Sequence, residues 1–363
     1  MQQSGIVEDR NIDTESGERD RFTYHGGDLG AARAAFPDAP APWIDLSTGI
    51  NPVPYPLPSL DPAAWTGLPD AGAARALEAA AARAYGAEAA GTVAAPGTEA
   101  LIQWLPRLFP ARRVGVLGFT YGDHARAWQA TGATVETVDT LAALAGFDAA
   151  VVVNPNNPDG RLVAPADLAA LARHVGLLVV DEAFADVVAP CWSHAPAPPP
   201  NAVVLRSFGK FYGLAGLRLG FAVAPPERAA ALRAALGPWA VSGPAIAVGR
   251  AALADDAWAA SARARLARDA ARLDGLLTAR GATVVGGTSL FRLAEVDDAD
   301  PWFRRLAVRG ILTRPFAEHP RRLRFGLPGD EAAWHRLDDA LGPLGTPVGP
   351  AMGRGPAAAA GSF

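Results

Sequence analysis

From residue 74 to residue 224 short apolar runs alternate with alanine-rich stretches, with turn-forming residues between them. ARALEAAAARAYG (74–86) predicts a helix ended by Gly86, since glycine accepts the left-handed conformation that closes helices. TVAAPGTEALIQWLPRLF (92–109) reads as a strand, a tight Pro-Gly turn and a helix. RVGVLGF (113–119) predicts a strand and GDHARAWQATG (122–132) a helix. AAVVVN (149–154) follows as a buried strand, PADLAALARHVG (165–176) as a helix and LLVVDEAF (177–184) as another strand. AVVLRSFG (202–209) and LRLGFAVA (217–224) complete the set. Strands alternating with helices imply an α/β fold with a mostly parallel, doubly wound sheet.

Beyond about residue 225 the rhythm changes. ERAAALRAALG and the long DDAWAASARARLARDAARLDGLLTARG (255–281) are helical. ATVVGGTSLFRLAEV, RGILTRPF and RRLRFGLP then read as strands around a helix near 300–309. The expected organisation is a large domain over 56–240 and a smaller α+β domain over 241–344. An N-terminal, Pro-rich segment over 21–55 joins the smaller domain. The acidic, polar stretch 1–20 is expected to be a flexible leader, and PVGPAMGRGPAAAAGSF, from 345 to 363, a flexible tail.

Half of the 363 residues are hydrophobic and 19% are charged, which suits a globular protein with a large core. A net charge of −4 with scattered arginines gives no basic stripe for nucleic acid, and no apolar run approaches the ~20 residues of a membrane span. The single cysteine, Cys191, excludes an intramolecular disulfide and fits a reducing compartment, so a cytoplasmic protein is expected. Lysine is rarer still. Lys210 is the only one, and every other member of the 33 basic residues is arginine. A guanidinium cannot serve as an amine nucleophile; a lysine can, forming an imine with a carbonyl compound.

Four pieces surround that lysine in order: APGTEA (95–100), NPNNPDG (154–160), DEAF (181–184) and SFGKFYGLAGLRLGF (207–221). Ser207 lies three residues before Lys210 and Arg218 eight after. This chain resembles the fold-type I pyridoxal-phosphate enzymes of the class I/II aminotransferase group over roughly residues 40–330. The resemblance implies pyridoxal 5'-phosphate (PLP) as cofactor, bound covalently to Lys210. Asp181 would keep the pyridine nitrogen protonated, and Asn157 would donate to the ring's phenolic oxygen. Gly97, Thr98 and Glu99 would offer backbone N–H groups to the phosphate, with Ser207 and Arg218 beside them. Tyr121 would stack on the ring. One departure matters: many aminotransferases carry tyrosine three residues after the aspartate, where this chain has Phe184.

YHGGDLGAA (24–32) followed by WIDLSTGINPVPYP (43–56) resembles the threonine-phosphate decarboxylases of cobalamin biosynthesis, relatives of histidinol-phosphate aminotransferase. That resemblance implies decarboxylation of L-threonine O-3-phosphate to (R)-1-aminopropan-2-ol O-phosphate. Arg324 is then expected on the substrate carboxylate and Arg314 on the substrate, with His25 and Asn51 near its phosphate. The family also implies a homodimer, with Tyr55 reaching the neighbouring subunit's cofactor phosphate. The alternative is an aminotransferase of the histidinol-phosphate type, which Phe184 and the His-Gly-Gly-Asp run disfavour.

Overall fold

The computed structural model describes Phe22 and residues 25–342. The expected leader (1–20) and tail (345–363) lie outside the described residues. Thirteen strands follow one another among them: β1 (Ile44–Asp45), β2 (Thr92–Ala95), β3 (Arg113–Leu117), β4 (Thr134–Val138), β5 (Ala149–Val153), β6 (Leu177–Asp181) and β7 (Ala202–Ser207). The remainder are β8 (Gly220–Val223), β9 (Thr283–Thr288), β10 (Phe291–Glu295), β11 (Ile311–Leu312), β12 (Arg314–Pro315) and β13 (Arg322–Gly326).

Seven of them make one sheet in the order β2-β8-β7-β6-β5-β3-β4. β3 to β7 pair in parallel, while β8 runs antiparallel to both β7 and β2. This is the mostly parallel sheet that the alternation implied. Its central strands are buried at every position, because helices cover both faces. Val152, Val180 and Val204 point into one apolar cluster with Leu77, Ala81 and Tyr85 of the helix Ala71–Tyr85. Val151, Val179 and Val203 point the opposite way, onto Leu101, Ile102 and Leu105 of the helix Thr98–Leu108. Strand geometry forces that alternation and so divides the core in two.

A second sheet, β12-β13-β10-β9, is antiparallel throughout. The Pro-rich segment contributes β1, which pairs in parallel with β11. The loop after β5 is pressed onto the second sheet: Gly287 N–H donates to Asp159 O at 2.7 Å, and a Cβ on Gly160 would collide with the Gly287 backbone. Only glycine permits this approach, and Gly160 also needs its φ of 71°. Among the elements not anticipated are β4 and the helices Gly243–Leu253 and Glu331–Leu341. β4 is a half-exposed edge strand of mixed polarity, TVETV. Among the described residues no helix is long and apolar enough to cross a membrane.

Candidate active site

The carboxyl ends of β5, β6 and β7 bring Val153, Asp181 and Ser207 to the rim of a cavity of about 240 Å³. Open α/β sheets hold ligands at that edge. Lys210 enters from a four-residue helix, Phe208–Phe211, immediately after β7. Its amine lies 5.9 Å from the centre of the Phe184 ring. Burial first, and then the nearby Arg324 and Arg314 working against the pull of Asp181, bring the amine down to about 8. A substantial share of this lysine is therefore neutral near physiological pH, as a nucleophile must be.

Asp181 is buried. Its Oδ1 accepts from the Ala183 N–H at 3.0 Å, and its Oδ2 sits 2.8 Å from Nε2 of His124. His124 is likewise buried, on the helix Asp123–Gln129. Sequence reasoning missed it, and the signal was faint: a lone histidine on the apolar face that carries Ala127 and Trp128. The pairing fixes the carboxylate where it faces the cavity.

Opposite Asp181 the helix Thr98–Leu108 begins at Gly97 with no side chain capping it. Its first N–H groups need acceptors, and the helix dipole favours an anion there. Gly97 has φ 87°, and a Cβ at this position would stand 2.8 Å from Nη2 of Arg218, so the guanidinium lies directly over the turn. Arg218 itself takes a left-handed conformation, φ 54°, ψ 55°. Ser207, Thr98 and Glu99 complete this end of the cavity.

The second sheet supplies two arginines. Arg314 on β12 and Arg324 on β13 are direct cross-strand partners, and both are buried. Like charges so placed repel, and burial removes the water that would screen them. Burial lowers both guanidiniums, Arg324 especially, and Arg314 adds to the effect on Arg324. Arg324 donates to Asn157 Oδ1 at 2.5 Å and to Ser47 O at 2.5 Å, while its Nε is buried without a hydrogen-bond partner among the described residues. The arrangement is built for an anion.

Tyr121 and His25 close the mouth, with ring centroids 6.1 Å apart. Burial and then a hydrogen bond to Asp123 push the Tyr121 hydroxyl up, so it stays protonated. His25 Nε2 lies 3.4 Å from Asp123 Oδ2. Phe184 packs edge-on against Phe291 at 4.9 Å and lines the cavity with an apolar face.

Of the residues expected in this chain's own site, only Asn51 is absent from the cavity wall. Its Nδ2 donates to Phe211 O at 2.8 Å, and its Oδ1 accepts from Val53 N at 3.1 Å and Arg265 Nη2 at 2.8 Å. That amide is engaged in holding the Lys210 helix, whose Lys210 O also accepts from Asn51 N at 2.9 Å, so Asn51 stands behind the cavity rather than on its wall. Tyr55 also stands away from its own chain's cavity, edge-on to Trp258 at 5.2 Å.

The family model for aminotransferase class I and II matches residues 42–341. A threonine-phosphate decarboxylase of Pseudomonas aeruginosa is 45% identical over 324 residues, covering 87% of this chain and 96% of that protein. One from Sinorhizobium sp is also 45% identical, covering 87% and 97%. A histidinol-phosphate aminotransferase from Sinorhizobium meliloti, solved in complex with pyridoxal-5'-phosphate, superposes with a TM-score of 0.74 at 20% identity, covering 86% of this chain and 92% of that one. At that identity the last likeness speaks for the fold.

Proposed function

The chain belongs to the class I and II aminotransferase family and, within it, to the threonine-phosphate decarboxylases, and from that premise we propose how its own residues carry out the reaction. The enzyme is a PLP-dependent lyase that converts L-threonine O-3-phosphate to (R)-1-aminopropan-2-ol O-phosphate and carbon dioxide, in cobalamin biosynthesis. The observation that carries the reading is the buried cross-strand pair Arg314 and Arg324 beside a lysine whose amine is brought down to about 8. Such a pair suits a substrate with two anionic groups.

The residues present fit the cofactor. In this reading the uncapped helix start at Gly97, Thr98 and Glu99 takes the cofactor phosphate, with the Ser207 hydroxyl and Arg218. Asp181, oriented by His124, would hold the pyridine nitrogen, Asn157 would hold the phenolic oxygen and Tyr121 would pack on the ring. When bound, PLP supplies an electron sink conjugated to the substrate's α-carbon. Everything else falls to the protein. Which bond to Cα breaks depends on how the substrate is oriented, so the groups holding the substrate choose the reaction. Arg324 holds the carboxylate, with Arg314 beside it, and His25 meets the substrate phosphate. The carboxylate leaves as CO2, and Lys210 returns a proton to the carbon it left. Phe184 offers no hydroxyl at a place where many aminotransferases have one, consistent with a cavity set up for carboxylate loss.

CO2 release from phosphothreonine, measured against glutamate formation from 2-oxoglutarate, tests this directly. Dominant glutamate formation would overturn it in favour of an aminotransferase. We further propose a cytoplasmic homodimer. The lone cysteine fits a reducing compartment, and Leu57, Trp65 and Leu68 are 67–72% exposed just beyond the Asn51–Tyr55 segment. A fully active monomer at nanomolar concentration in sedimentation would contradict the dimer.

A further inference from the structure

Asp181 and Ser207 end neighbouring strands and face the cavity; the residues next to them, Glu182 and Arg206, point to the opposite side of the sheet. There Arg206 Nη1 donates to Glu182 Oε2 at 3.0 Å, across the same two strands. Arg206 Nη2 donates to Asp186 Oδ1 at 2.6 Å, and the guanidinium lies 4.3 Å from the centre of the Tyr85 ring. Glu182 also accepts from Ser193 Oγ at 2.6 Å and from His194 N at 2.6 Å. All three charged groups are buried, with Glu182 at 0% exposure. One guanidinium thus faces two carboxylates away from water. An assembly like this adds little to net stability against an apolar replacement, so its retention calls for another reason.

We propose that Glu182 and Arg206 are positioning residues that clamp the ends of β6 and β7 from behind, fixing the distance between Asp181 and Ser207. Within the reading above, those two residues contact opposite ends of PLP, at the ring nitrogen and the phosphate. The clamp therefore sets the gauge of the cofactor site. It sits one residue from each contact on each strand, where a shift of the strand ends is transmitted without slack. The continuation of the ladder past β6, Glu182 N to Leu205 O at 2.9 Å, ties the same two ends through the backbone. Burial works to lower Arg206, but Asp186 and then Glu182 outweigh it and leave the guanidinium firmly charged.

Glu182→Gln is the sharpest probe, because the three groups that reach its oxygens include two obligate donors, Arg206 Nη1 and His194 N. An amide must turn its NH2 toward one of them. The expected result is a PLP dissociation constant raised about tenfold or more, read by absorbance titration, and a lower kcat with KM for phosphothreonine changed less. Val204→Ala, a cavity variant on the same face of β7, serves as the control for plain destabilisation. It should lower the melting temperature and leave PLP affinity within about twofold. Glu182→Asp keeps the charge but withdraws it by one methylene, and should show the same loss in milder form if Glu182→Gln does not fold. PLP affinity unchanged in either soluble Glu182 variant, whatever its melting temperature, would overturn the clamp. PLP titration does not depend on the substrate: a wild type that binds PLP but releases no CO2 would sink the decarboxylase reading alone.

Discussion

The two walls of the cavity are made differently. The parallel sheet contributes through strand ends and the turns that follow them: Asp181 closes β6, Ser207 closes β7, Lys210 rides a single helical turn, and Gly97 opens a helix. The antiparallel sheet contributes through strand pairing, as the cross-strand partners Arg314, which opens β12, and Arg324, in the middle of β13. Strand ends can present backbone N–H groups and a nucleophile at an edge. Paired positions on neighbouring strands hold side chains at fixed spacing. The first wall is thus suited to gripping a cofactor and moving protons, and the second to orienting a substrate.

Lys210→Ala should break the first wall completely. Decarboxylation and any abortive transamination should fall together by about 10³-fold or more, since proton transfer and covalent capture are both lost. Borohydride reduction followed by peptide mapping checks the capture separately, with the pyridoxyl label expected on Lys210 in the wild type. Arg324→Ala should instead change the balance. Loss of a charge-assisted pair in a buried site costs about 3–5 kcal/mol, a hundredfold or more in kcat/KM, with transamination gaining relative to CO2 release. Arg324→Lys should also be poor, because the ammonium lacks the planar fork. If both products fall equally in the Arg324 variants, the division of labour between the walls is wrong.

Gly97→Ala sharpens the comparison on the cofactor side. A side chain at φ 87°, 2.8 Å from the Arg218 guanidinium, should cost on the order of 1–2 kcal/mol, or roughly tenfold in PLP affinity. Substrate KM at saturating PLP should barely move. The smallest effect couples the walls. Lys210 is cationic below about 8 and neutral above it, so the rate at which apoprotein captures PLP should rise as pH climbs through that value. After burial, Arg324 is the leading cause of the lowering; removing its charge in Arg324→Met should let the lysine hold its proton longer and move the midpoint upward. Stopped-flow absorbance across the pH range would show the shift, and an unmoved midpoint would separate the two walls electrostatically.

Legibility in the sequence followed the same divide. The first wall could be read because each contact sits in a short segment whose pattern is local: an apolar run, then Asp181; Pro-Gly before a helix; a lone lysine. The central strands were equally clear, since β5 and β6 are apolar throughout. His124 escaped because its partner is 57 residues away and nothing near it in the chain marks the pairing. β4 escaped because an edge strand needs no continuous apolar run. The arginines of the second wall were found only through family resemblance; their cross-strand neighbourhood is a matter of register, which no single segment states. Asn51 is the opposite case. Its local pattern was suggestive, but two distant groups, on Phe211 and Arg265, together with the neighbouring Val53 N–H, occupy its amide.

Arg324 reaches both Asn157, in the loop after β5, and the carbonyl of Ser47, in the Pro-rich segment. One guanidinium therefore staples three stretches of chain together; one of those stretches is proposed to touch the cofactor, and the arginine itself is proposed to receive substrate. A carboxylate arriving at Arg324 must compete with, or add to, its hold on Asn157, so the two ligands share a single junction. Linkage then makes their affinities reciprocal: whatever factor substrate binding applies to PLP retention, PLP must apply to substrate binding. If the carboxylate draws Arg324 off Asn157, the enzyme sheds cofactor fastest while it is working, and the free amount of PLP becomes a throttle on turnover.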